Sequence, residues 1–142
     1  MGLTISCKKT GRSIDLGYFG FAHLREKVAE LVGDPFASHE GGLRRAPFMG
    51  EARTQYFEEF DRKTEELIAK KQVSVKVASF CLQPDVGGRI GYGGCKKLLQ
   101  VIGDYDDNIL YGYAGRPDCA KFKDFKALLQ DCVDHKCDMV WR

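Results

Sequence analysis

The sequence has no run approaching the roughly 18 consecutive apolar residues that a membrane-spanning helix requires. No charged-then-apolar leader opens it either, so the expected location is the cytoplasm, with no membrane partner. Charge of one sign is also missing: 22 basic residues stand against 20 acidic ones, a net charge of +2. That balance makes no case for DNA, RNA or an anionic lipid surface, and any anion the chain binds must be held by a local site. There is no internal repeat, low-complexity tract or linker, and 142 residues is the size of one ordinary domain, so residues 1–142 are read as a single domain.

Familiar catalytic and metal-binding spacings are absent as well. A phosphate-binding P-loop needs Gly-x4-Gly-Lys-Ser/Thr, but after Gly88 and Gly93 the chain reads Gly94 and Cys95, so the lysine comes late and the magnesium-binding hydroxyl is missing. A dinucleotide fingerprint starting at Gly91 needs glycine where Lys96 stands. Asp104, Asp106 and Asn108 begin like a calcium loop, but Ile109 takes the obligatory glycine position and Gly115 the place of the bidentate glutamate. Cys132, His135 and Cys137 lie close together, yet no second ligand pair at zinc spacing accompanies them, so no metal and no cofactor are expected. His23 and His39 have no local nucleophile or carboxylate signature of a triad, and Glu58 and Glu59 belong to a solvated helix face. Six cysteines, Cys7, Cys81, Cys95, Cys119, Cys132 and Cys137, are scattered through apolar positions in a chain too large to depend on disulfides, and read as buried reduced thiols.

What is present describes an α+β architecture. Leu3, Ile5 and Cys7 alternate with polar residues, and a turn with Gly11 leads to Ile14 and Leu16: an N-terminal β-hairpin. Met1 to Ser6 also satisfies the N-myristoylation pattern, but the same residues form the first strand, which is the preferred reading. Phe21, Leu24, Val28 and Leu31 recur at helical spacing, with Arg25, Lys27 and Glu30 on the other side and Gly33 ending the helix. Residues 34–50, with two prolines, Gly41-Gly42 and Arg44-Arg45, read as a long loop. A long helix over residues 51–71 carries the apolar stripe Ala52, Tyr56, Phe57, Phe60, Leu67 and Ile68. Residues 73–82 fit two templates: Val73, Val75 and Val77 alternate as in a strand, while Val73, Val77, Phe80 and Cys81 fit a helix, and the β-branched content favours strand. A short helix over Cys95, Leu98, Leu99 and Ile102, a strand from Ile109 to Tyr113, a last helix N-capped by Asp118 and a terminal strand from Met139 complete the chain. The order is no clean βαβ alternation, so the expectation is a small, mostly antiparallel sheet with about four helices.

Two segments can carry binding chemistry. Residues 87–97 hold five glycines in eight positions before a helix, whose N-terminus offers free amides and partial positive charge to a phosphate or carboxylate, with Arg89 and Lys96 adding charge. The bland alternative is a β-turn with close backbone packing. In the second segment, Tyr111 and Tyr113 share a strand face with Ile109 and stand near Arg116, an arrangement able to stack a base and pair a phosphate, or simply to form a half-buried sheet face. The candidate ligand residues are therefore Arg89, Tyr92, Gly93, Gly94, Lys96, Tyr111, Tyr113 and Arg116, with no catalytic residue assigned.

The run from Lys8 through Thr10, Gly11, Arg12, Ile14 and Gly17 to Phe21, Leu24 and Arg25, with Gly103 to Asn108 and Tyr111 to Arg116, resembles a group of short uncharacterised proteins encoded by phages and prophages. The resemblance implies host cytosol as the location and an anti-defence accessory role, in which small proteins of this kind act by binding. On that basis the chain is expected to be a non-catalytic binder of a small anionic, nucleotide-derived ligand, a sponge for a host immune signalling nucleotide, with a pocket walled by a homo-oligomer. One alternative is a protein–protein inhibitor of a host defence protein that uses residues 34–50 and Arg44-Arg45. A second is a small nucleotide hydrolase using His23 or His39.

Overall fold

The computed structural model describes residues 3–112 and 120–142. Strands β1 (Thr4–Cys7) and β2 (Ser13–Asp15) form the hairpin, and Gly11 supplies a positive φ of 77° at its turn. Helix α1 (Gly17–Val32) follows, then α2 (Phe36–Gly41), a 3-10 turn (Gly42–Arg45), α3 (Gly50–Ala69) and α4 (Val75–Leu82). The chain continues through β3 (Gly88–Ile90), α5 (Tyr92–Ile102), β4 (Leu110–Tyr111), β5 (Ala120–Lys121), α6 (Phe122–Asp134) and β6 (Met139–Trp141). The result is α+β: among the described residues, six helices lie on a four-stranded antiparallel sheet of order β2-β1-β6-β3, with β4 and β5 making a separate two-stranded ribbon. Among the described residues, no helix is long and apolar enough to cross a membrane.

Period-2 alternation gives the sheet one dry face. Ile5, Cys7, Ile90, Met139 and Trp141 are buried against the helices, while Thr4, Ser6, Arg89 and Val140 point the other way and are partly or fully exposed. Strand β6 is central, pairing Trp141 with Ile5 on one side and with Gly88 on the other. The Trp141 indole lies where a Gly88 side chain would be, so this position accepts no Cβ without displacing it. Below the sheet, Trp141 meets Phe21 at 5.4 Å and Phe80 at 5.7 Å between ring centroids, and Phe80 stacks on Phe125 at 5.6 Å.

Four expectations are corrected. Residues 34–50 are not one long loop: Asp34 accepts hydrogen bonds from the Ser38 amide (3.0 Å) and hydroxyl (2.7 Å), and α2 buries Phe36, His39 and Glu40. Residues 73–82 contain a helix in place of a strand. Ser74 caps α4 by accepting from the Val77 amide (3.1 Å), and Val77, Ala78, Phe80 and Cys81 form a buried helical face that overrides the β-branched preference. With α2 and α4, the described residues hold six helices. Helix α6 starts at Phe122 with Lys121 as N-cap, its amide donating to the Asp124 carboxylate (2.8 Å), and the expected cap Asp118 lies outside the described residues. Ile109 is exposed and precedes β4, while Tyr111 within β4 is buried, so the two share no face.

Arg25, expected on the outer face of α1, is instead buried. Its guanidinium lies 4.3 Å above the Phe21 ring, donates to the carbonyls of Phe80 (3.4 Å) and Gln83 (2.5 Å), and pairs with Asp85. Burial pulls its pKa down and the Asp85 carboxylate pulls it back up. The side chain thus satisfies carbonyls at the C-terminal end of α4, where a helix favours a cation. Arg25→Leu leaves those carbonyls unpaired and Asp85 without its partner, and should cost about 2–4 kcal/mol in a urea melt with the m-value unchanged.

His39 stacks on Phe60 with ring centroids 4.0 Å apart, and its Nε2 lies 2.7 Å from the Thr64 hydroxyl. Burial, then the charge of Lys63, holds its pKa below the usual 6.5. The unfolded chain therefore takes up this proton first as the solution is acidified. Stability from this group is complete above pH 6.5 and declines as the pH falls below it. His39→Gln should flatten that acid limb in melts recorded between about pH 7 and pH 5.

Candidate functional site

The glycine-rich segment resolves into a turn, a strand and a helix start. Gly87 takes φ 74° at the turn, β3 runs over Gly88–Ile90, and Gly91 is the N-cap of the 11-residue helix α5. Much of the glycine content answers to packing. Gly88 lies beneath Trp141, and a Cβ on Gly94 would overlap Ile90. Gly93 has a different neighbour: its Cβ position is 2.5 Å from Lys76 Nζ, so the Lys76 side chain lies across the first turn of α5.

That turn opens into a groove of about 280 Å³ between α4, β3 and α5, whose polar lining comes from Lys76, Ser79 and Arg89. No described side chain caps the N-terminus of α5, so its first amides face solvent and the groove. Arg89 is fixed through its backbone. The Gln83 amide donates to the Arg89 carbonyl (2.9 Å) and the Arg89 amide donates to Gln83 Oε1 (3.2 Å), as a neighbouring strand would. Its side chain is 71% exposed and reaches Asp138 at 3.5 Å. On the open face of the sheet, Arg89 also borders a larger depression of about 810 Å³ edged by Lys8 and Arg142.

The candidate residues separate. Arg89 and Gly94 line the groove and Gly93 faces Lys76, whereas Tyr92 and Lys96 stand exposed on α5 outside its lining. Tyr111 is not available for stacking: it is 3% exposed and its hydroxyl donates to Asp107 (2.8 Å), which also accepts from Tyr105 (2.8 Å). Tyr105 lies just beyond the C-terminal end of α5, roughly 16 Å from the N-terminus of a helix this long. Tyr111 and the glycine-rich turn therefore belong to opposite ends of α5 and cannot share one small ligand. Tyr113 and Arg116 lie outside the described residues. Lys76 and Ser79 were missed because residues 73–82 read as a strand, and the Ser74 cap was the signal that could have found them.

Of the other candidates, His39 and Arg44 are engaged internally. The His39 ring is committed to Phe60 and Thr64, and His23 stands exposed on α1. Arg44 is held by Glu40 (3.1 Å) and Glu26 (3.5 Å).

A cluster only partly legible in the sequence joins three cysteines. Helix α6 ends in a Schellman motif: Lys136 takes φ 50°, its amide donates to the Val133 carbonyl (3.3 Å), and the Cys137 amide donates to the Cys132 carbonyl (3.1 Å). That turn folds Cys137 back over Cys132, and the end of β1 brings Cys7, so that the three sulfurs lie within 4.8 Å of one another. Cys7 and Cys137 are the nearest pair at 2.7 Å. Burial alone would raise the Cys7 thiol, but its contact with Cys137, then the Thr10 side chain and the backbone of the turn, bring it down to about 6. Its hydrogen bond with Cys95, and then burial, push Cys132 the other way. His135, grouped with these cysteines by sequence proximity, turns away, its Nδ1 lying 2.9 Å from the Asp131 carbonyl.

No protein-family model matches the chain, nor does any curated protein or solved structure.

Proposed function

We propose that this chain is a non-catalytic binder of a small anionic ligand, held between β3 and the first turn of α5. The observation that carries the reading is that Lys76 and Arg89 both line a groove beside an uncapped helix N-terminus. Free amides and the helix dipole attract an anion there, and two cations on separate elements add charge without requiring a basic protein overall. Arg89 meets the ligand by exchanging its contact with Asp138. Tyr92, 46% exposed one residue beyond the N-cap, gives an aromatic face at the rim, which favours a nucleotide-derived ligand over a bare phosphate. On this reading the ligand is held and not consumed. Sequestration of a host immune signalling nucleotide by a phage-encoded protein is the biological role that fits such chemistry.

A second reading, a protein–protein inhibitor, is favoured by one observation. Phe48 and Met49 are 86% and 68% exposed between the 3-10 turn and α3, beside the segment first considered for that role. The Arg44-Arg45 pair is a poor anchor for it, since Arg44 is engaged with Glu40 and Glu26.

Calorimetric titration with pyrophosphate, cyclic dinucleotides, cyclic trinucleotides and ADP-ribose derivatives tests the first reading. At least one should bind, and Lys76→Glu and Arg89→Glu should each weaken it about tenfold or more. No binding across the panel, or binding indifferent to both substitutions, rejects this groove as the site.

A further inference from the structure

We propose that Cys7, Cys132 and Cys137 form a binding site for one thiophilic closed-shell metal ion, Zn²⁺ or Cu⁺, at the junction of β1, the end of α6 and the start of β6. Three observations converge on it. The three sulfurs are drawn from distant parts of the chain yet lie within 4.8 Å of one another. A metal bonded to each at about 2.3 Å needs sulfurs roughly 4 Å apart, a spacing this cluster reaches with small side-chain rotations. The donor set is all sulfur: among the described residues no histidine or carboxylate joins the cluster, which selects soft ions and disfavours magnesium or calcium.

Backbone geometry holds the three segments together. The β1–β2 turn is anchored beside the cluster, where the Gly11 amide donates to the Cys7 carbonyl (3.0 Å) and the Lys8 amide to the Asp138 carbonyl (3.0 Å). Lys8 and Lys9 follow Cys7 directly in the chain, while Arg12 is taken up by Asp131 (3.7 Å). Burial of Cys7 and Cys132 keeps water from two of the three ligands, while Cys137, partly exposed on the turn before β6, leaves a route for the ion to enter. Cys95 of α5, in contact with Cys132, stands behind the cluster. The Schellman turn locks Cys132 and Cys137 as a local pair, so the ion would tie that pair to the N-terminal strand.

The rival outcome is a Cys7–Cys137 disulfide, for which the same proximity of 2.7 Å is suitable. The full-length chain, reduced and stripped with chelator under anaerobic conditions, would be titrated with Cd²⁺ and followed by thiolate-to-metal absorption. Zn²⁺ and Cu⁺ would then be counted by native mass spectrometry. One ion per chain is expected. Cys137→Ser, at the most accessible position, should weaken binding at least about a hundredfold, and Cys81→Ala, in a separate part of the core, should keep one equivalent. No charge-transfer band, full-affinity binding by Cys137→Ser, or a purified chain whose peptide map shows a Cys7–Cys137 disulfide that excludes the ion would overturn the proposal.

Discussion

The buried guanidinium of Arg25 is the constraint on which much of the molecule's arrangement rests. A charge enclosed in this way must find all its partners within the fold, and it finds them at the end of α4, in the Phe80 and Gln83 carbonyls and the Asp85 carboxylate. Fixing Gln83 fixes its side-chain amide, which grips Arg89 on both backbone groups and so sets the edge strand β3. Beyond β3 the chain turns directly into α5. A chain of polar contacts therefore leads from the middle of α1 to the entrance of the groove, and that groove is positioned by a residue which takes no part in it.

The central strand β6 organises the opposite side. Its Trp141 fills the space that Gly88 leaves empty and reaches Phe21 and Phe80 below, so sheet and helices share one aromatic core. At its other end the approach to β6 carries Cys137 to Cys7. The groove and the thiol cluster are thus spaced along the same short strands, and Asp138, lying between Cys137 and β6 and reaching Arg89, connects them. Ligands at the two places would act on one piece of backbone.

The sequence was most legible where a local pattern and its burial agreed. The hairpin with Gly11, the spacing of Phe21, Leu24 and Val28, the long amphipathic helix, the stop at Gly103 and the terminal strand could all be read directly. Legibility failed where tertiary burial outweighed local preference. Val73, Val75 and Val77 look like a strand because β-branched residues pack well on sheets, but Ser74 and the burial of Phe80 and Cys81 make the segment helical. Arg25 was assigned to solvent because charge usually belongs there. Of the site, the turn before α5 was visible in its glycines, while Lys76 depended on knowing that α4 exists. The thiol cluster was half visible, in the spacing of Cys132 and Cys137, and Cys7 could join only once β1 was known to lie beside β6.

The position of β6 also bears on when this fold can form during synthesis. The hairpin and α1 emerge first, but the hairpin's inner edge, the aromatic core and the partner of β3 all wait for residues 139–141. Until those residues leave the ribosome, β1 and β3 expose unpaired edges and Phe21 and Phe80 lack their indole lid. Pairing through β6 joins segments far apart in sequence, a topology that forms slowly and leaves the β1 and β3 edges open in the meantime.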